Sequence, residues 1–321
     1  MSRHAFVFNG DADGLCSLPQ LHLSQPFDGQ LFSGVKRDQS LLKRVEPDWV
    51  DRVTVLDLPL SYNREALMRL LDAGKTVTYV DHHFPGDIPS HANLDLRIDT
   101  DANWCTSLIV DRSLGGAAHR WAIVGAFGDN LRPVANQLAG QIGIDASKTR
   151  LLDELGRLLN YNSYGDSIED LRYSPVELHK RMRDYSDPVT FIEDELIFSN
   201  LREAYNQDMS TARGVLGEAR PGGLVYFLPN LPWARRLIGT FANLIANDYR
   251  NQAIAVLTYC DAHHYRVHLR TPAVSTVAAG DFCGRFPSGG GRASAGGINF
   301  LPQSDLHLFL NEFDQTFHSV R

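Results

Sequence analysis

Asp11 and Asp13 stand two residues apart in Gly10-Asp11-Ala12-Asp13-Gly14, Asp57 follows Val55-Leu56, and Asp81 precedes His82 and His83. In an extended chain Asp11 and Asp13 share one face. Clustered carboxylates raise one another's pKa unless a cation lies between them. Oxygen donors with imidazole and no thiolate suit Mn²⁺ or Mg²⁺ better than structural Zn²⁺. Of two adjacent histidines, one can bind a metal while the other faces a substrate. Any one of these aspartates alone reads as a turn or N-cap residue. Taken together, in this order and at strand ends, they read as a metal site.

The elements that must position them follow from periodicity. His4–Asn9, Gln30–Gly34, Arg52–Leu56 and Lys75–Val80 are expected as strands. Helices are expected at Leu15–Leu23, Gln39–Val45 and Asn63–Ala73, the last ending at Gly74. Alternation of this kind implies an α/β domain with a mostly parallel sheet flanked by helices. Three of the four strands end on the acidic residues, and strand C-termini are where such sheets bind ligands. Thr106–Leu114, Arg120–Phe127 and Lys148–Leu159 are expected to be helical, and 174–213 reads as connecting helices. Beyond Ala219-Arg220-Pro221-Gly222-Gly223, strands are expected at Leu224–Leu228, Ala253–Tyr259 and Tyr265–Leu269, with a helix over Ala234–Asp248.

The chain of 321 residues is long enough for two cores. No apolar run approaches the roughly 20 residues of a membrane span, and no signal peptide is visible, so no membrane partner is expected. Four scattered cysteines argue against a disulfide framework and for the cytoplasm. The net charge is −7, against coating of long nucleic acid. Residues 219–321 nonetheless carry nine Lys and Arg against six Asp and Glu, so the acidity lies in the first part.

The ordered set resembles the DHH phosphoesterase superfamily. Gly10 to Leu15, Val55-Leu56-Asp57 and Val80-Asp81-His82-His83 look like its first motifs and its signature. Trp104-Cys105-Thr106-Ser107 and Gly125-Ala126-Phe127-Gly128-Asp129-Asn130 are similar to the segments that follow. Ser288-Gly289-Gly290-Gly291-Arg292, with Ala295-Gly296-Gly297, resembles the glycine-rich signature of the family's C-terminal DHHA1 domain. With the composition break at Ala219–Gly223 taken as the boundary, the resemblance implies a DHH catalytic domain over 1–170, a helical linker over 171–218 and a smaller α/β DHHA1 substrate-binding domain over 219–321. It implies two divalent ions, Mn²⁺ first and Mg²⁺ second, held by Asp11, Asp13, Asp57, His82 and Asp129, with Asp57 bridging. His83 would meet the scissile phosphate or the leaving group, and Asp81 would orient an imidazole. Asn9 stands where the family usually has a ligand histidine, and Arg292 where its glycine-rich motif usually has another.

Gly289, Gly290 and Gly291 can bring backbone amides to an anion, and Arg292 adds a planar donor fork. Alternation puts Arg266, His268 and Arg270 on one strand face, with Arg270 matching the family's arginine strand. The resulting expectation is a Mn²⁺-dependent phosphodiesterase that cuts very short oligonucleotides, such as linear diguanylate (pGpG), to mononucleotides. An exopolyphosphatase or pyrophosphatase and a catalytically silent nucleotide sensor are the alternatives. A homodimer is left open.

Overall fold

The computed structural model describes residues 3–318. By its contacts the chain divides into residues 1–203 and 204–321. The first unit opens with β1 (His4–Phe8), α1 (Ala12–Ser24), β2 (Gln30–Phe32), β3 (Arg52–Leu56), α2 (Leu60–Asp72), β4 (Thr76–Asp81) and β5 (Leu94–Ile98). Helices α3 (Thr106–Ser113), α4 (His119–Gly128), α5 (Arg132–Gln141), α6 (Ala146–Ser163), α7 (Pro175–Met182) and α8 (Pro188–Asp194) follow. The division between the units falls inside α9 (Leu196–Arg213).

The five strands form one parallel sheet in the order β2-β1-β3-β4-β5. Alternate residues face opposite ways. Ala5, Val7, Val53, Val55, Val77 and Tyr79 pack with Ala66, Leu67, Leu70 and Leu71 of α2 in one core. β5 is the strand that the periodicity leaves out. Its Leu-Asp-Leu-Arg-Ile alternates, and it lies at a sheet edge, half exposed. The helix expected over Gln39–Val45 is a 3₁₀ turn at Leu41–Arg44.

A column of rings ties α7 to the frame that carries the first motif. His4 stacks on Phe6 at 4.0 Å, Phe6 on Phe27 at 3.8 Å, and Phe27 lies parallel to His179 at 6.1 Å. His179 is 1% exposed. Burial, then the charges of His22, Arg183 and Lys180, lower its pKa to about 3. A histidine depressed in the folded state favours folding above the unfolded value of 6.5, and that contribution is lost as pH falls from 6.5 toward 3. Urea unfolding at pH 5 is therefore expected to show about 2 kcal/mol less stability than at pH 7 from this residue alone. His179→Phe should narrow the difference by that amount. An unchanged pH dependence would count against the buried neutral imidazole.

The second unit contains β6 (Glu218–Arg220), β7 (Gly223–Leu228), α10 (Pro232–Asp248), β8 (Ala253–Tyr259), β9 (His264–Arg270), α11 (Ala279–Cys283), β10 (Gly289–Gly291), β11 (Ala295–Pro302) and α12 (Leu306–Thr316). Its sheet runs β10-β11-β9-β8-β7-β6, parallel between β7 and β8 and antiparallel elsewhere. Val267 and Leu269 pack toward Phe282 of α11 and Phe309 and Phe313 of α12. Asp208, in the last turns of α9, pairs with Arg236 of α10 at 2.6 Å, both side chains 5% exposed. Among the described residues, no helix is long and apolar enough to cross a membrane.

Candidate metal centre

The C-terminal ends of β1, β3 and β4 bring their acidic residues together within the first unit. Asp11 caps α1: its Oδ1 accepts from the amides of Asp13 and Gly14, each at 3.1 Å. Its Oδ2 accepts from Lys36 Nζ at 2.5 Å. Burial works against the Asp11 charge, but the Lys36 ammonium outweighs it and holds the carboxyl at about 2. Burial likewise opposes the charge on Lys36, and Asp11 raises its pKa in spite of that.

The segment after β2 is what delivers Lys36. A Cβ on Gly10 would lie 2.0 Å from Gly34 O, so only glycine lets these two loops touch. Asn9 Nδ2 donates to Lys36 O at 3.3 Å, and Asn9 Oδ1 accepts from the Asp11 amide at 3.2 Å. The Lys36 amide donates to Ser163 O at 2.9 Å. Asn9 thus spends its side chain on the backbones of Asp11 and Lys36. Lys36 escaped the sequence reading. The available signal was a lysine just beyond a strand end, in a sheet whose other ends carry acids.

Asp13 faces the start of α3. Its Oδ2 accepts from the Thr106 amide at 2.7 Å and its Oδ1 from the Ser107 amide at 2.8 Å. The positive end of a helix favours a carboxylate there. These first amides of α3 are thus bonded to a protein carboxylate.

Asp57 and Asp129 are in the opposite condition. Asp57 sits at φ +59° immediately after β3, a left-handed backbone that aspartate tolerates better than most residues. Its amide donates to Val80 O at 3.0 Å, and Thr106 Oγ1 donates to its Oδ1 at 3.1 Å. Burial, then the charges of Asp11, Asp13, Asp81 and Asp129, push its pKa well above the carboxylate range. Asp129 ends α4 as its C-cap, where the helix dipole is negative. Burial and then Asp13 and Asp11 raise it to about 7, against the pull of His82 and Lys36. His82 Nε2 lies 3.4 Å from Asp57 Oδ1, 3.8 Å from Asp129 Oδ2 and 3.9 Å from Asp13 Oδ2.

His83 turns to Asp81. Its Nδ1 lies 2.7 Å from Asp81 Oδ1, and an ionised carboxylate only accepts, so Nδ1 carries the proton and Nε2 is left for a ligand. Burial opposes the imidazolium, but the hydrogen bond and charge of Asp81 outweigh it and raise the His83 pKa. Ligand atoms of Asp57, His82 and His83 lie within 4.8 Å of one another.

The donor set fits a divalent cation. Asp57 and Asp129 are carboxylates whose repulsion a cation would relieve, and His82 adds a nitrogen facing both. Asp11 and Asp13 differ, since each of their oxygens already has a donor.

Apart from His83, the sequence-derived substrate residues lie in the second unit. Gly289, Gly290 and Gly291 form the edge strand β10. Gly291 has φ +147°, and a Cβ there would meet Ala295 O at 2.4 Å, so this glycine serves close packing of the hairpin, whereas a Cβ on Gly290 would meet nothing within 4 Å. Arg292 follows, exposed, with its backbone bonded to Ala295 and Gly280. The β9 face of Arg266, His268 and Arg270 is covered by α10: Arg270 Nε donates to Asn243 Oδ1 at 2.6 Å, and His268 lies against Gly239. Arg270 also borders a hollow of 640 Å³ with Asn243, Asn247, Arg250 and Ser294.

No family model and no curated protein matches the chain by sequence. Solved structures do match its fold. The chain is similar to RecJ in complex with Mn²⁺ from Thermus thermophilus, at 15% identity and a TM-score of 0.64, over 98% of this chain and 52% of that one. It therefore spans about half of that RecJ. It is similar to the DHH domain of a member of the s1p family of ribosomal proteins, at 14% identity and a TM-score of 0.61, over 98% and 86%. It is also similar to the pGpG-specific phosphodiesterase PggH from Vibrio cholerae, at 14% identity and a TM-score of 0.53, over 98% and 100%. At such identities the likeness is one of fold: the chain shares the fold of RecJ, of that DHH domain and of PggH.

Proposed function

We propose that this chain is a divalent-metal phosphodiesterase that hydrolyses very short oligonucleotides, linear dinucleotides such as pGpG above all, to mononucleotides, with Mn²⁺ as the preferred ion. The observation that carries this reading is the meeting of Asp57 and His82, at the ends of parallel strands, with Asp129 at the end of α4, beside the His83–Asp81 pair. The fold likeness to a pGpG-specific enzyme over its whole length supports the substrate class. The net charge of −7 supports a short substrate, because a long polyanion is repelled by an acidic surface.

Asp57, His82 and Asp129 would hold a divalent ion, which would supply Lewis acidity toward a phosphoryl oxygen and would lower the pKa of water. The chain's own groups do the rest. Asp81 fixes the ring of His83 through Nδ1, leaving Nε2 to meet the phosphate or pass a proton to the leaving oxygen. Thr106 Oγ1 holds Asp57 Oδ1 in place. Arg270 and Arg292 supply positive charge for the substrate in the second unit.

Two- to ten-mers incubated with the full chain and Mn²⁺ test the proposal. Mononucleotide release is expected to be fastest from the dinucleotide and to fall with length. Rates that climb with length overturn it. Phosphate release from polyphosphate alone, or tight nucleotide binding without turnover, would put one of the alternatives in its place.

A further inference from the structure

We propose that the Lys36 ammonium is the second cation of this centre, so that the chain takes up one divalent ion, at Asp57, His82 and Asp129, where the family resemblance implies two. The inference deepens the metal reading above and rests on it. Lys36 Nζ lies 2.5 Å from Asp11 Oδ2, in contact with the carboxylate that a second ion would need. That position is built in. The Lys36 backbone is bonded on one side to Ser163 O and on the other to Asn9 Nδ2, and the Gly10–Gly34 approach closes the loops around it.

Charge divides the acidic residues the same way. Asp11 is matched by an ammonium, and Asp13 by the two amides at the start of α3. Among the described residues, Asp57 and Asp129 have no lysine or arginine of the protein within ion-pair distance, and the nearest basic group is the His82 ring. An added divalent ion on Asp11 would be forced against a fixed positive charge, and like charges a few ångströms apart in a partly buried site repel strongly. Asn9 belongs to the same arrangement. The residue standing where the family usually has a ligand histidine holds the lysine's carbonyl in place of a metal. An ammonium can face a phosphoryl oxygen as a point charge. It cannot acidify water, so that task stays with the single ion.

Equilibrium dialysis of the full chain against Mn²⁺ alone tests the proposal, with circular dichroism to confirm folding. The wild-type chain is expected to bind one ion. Lys36→Met keeps the aliphatic stem and removes the charge, and it is expected to bind two. Two ions on the wild-type chain overturn the proposal, whatever the variant does, and leave the metal reading standing. One ion on a folded Lys36→Met chain also overturns it. No bound ion on either chain removes the metal reading together with this inference.

Discussion

Asp57→Asn is expected to lower dinucleotide turnover by about 10³-fold, the scale of losing one preorganised electrostatic group, while raising the melting temperature of the metal-free chain. Asp57 is buried among Asp11, Asp13, Asp81 and Asp129, and their charges push its pKa up after burial does. Asparagine removes that repulsion and keeps much else. It tolerates the left-handed backbone at φ +59°, and its side-chain oxygen can still accept from Thr106 Oγ1. What it gives up is the negative charge that would hold a divalent ion beside His82 and Asp129. Initial rates with Mn²⁺ and thermal melts in EDTA check the two halves separately. A rate within tenfold of wild type would remove Asp57 from the centre, and a lower melting temperature in EDTA would contradict the repulsion.

Asp13→Ala should do the reverse in EDTA. Both Asp13 oxygens accept buried amides of Thr106 and Ser107, and an orphaned buried donor costs about 1–3 kcal/mol. We expect a loss of about 3 kcal/mol of unfolding free energy, present with or without metal and measured by urea denaturation. Turnover falls as well, because the start of α3 carries the Thr106 hydroxyl that holds Asp57. Were Asp13 chiefly a metal-holding group, its removal would leave stability in EDTA unchanged or improved.

The contrast marks where the sequence stops being legible. β1, β3 and β4 could be read because apolar residues alternate and end on acids. The meeting of Asp57 and His82 followed from parallel strands opening at one edge. The division of labour between Asp11 and Asp13 could not be read, because it is set by distant partners: Lys36 for one, the α3 amides for the other. The strands β10 and β11 could not be read in the glycine-rich segment, since glycine carries no strand signal of its own. α12 was missed at the chain's end, although Phe309 and Phe313 complete the second core.

The ion pair between Asp208 and Arg236 decides where the chain can be cut. A fragment beginning at residue 219 would discard Asp208 and leave the Arg236 guanidinium without that carboxylate in a 5% exposed position. Breaking such a buried pair from one side costs about 3–5 kcal/mol. An expression boundary placed before Leu196, with the whole of α9 retained, keeps the pair intact. A sparse stretch of sequence at 219–223 looks like the natural place to separate the units, but the second unit's fold begins earlier, inside a continuous helix.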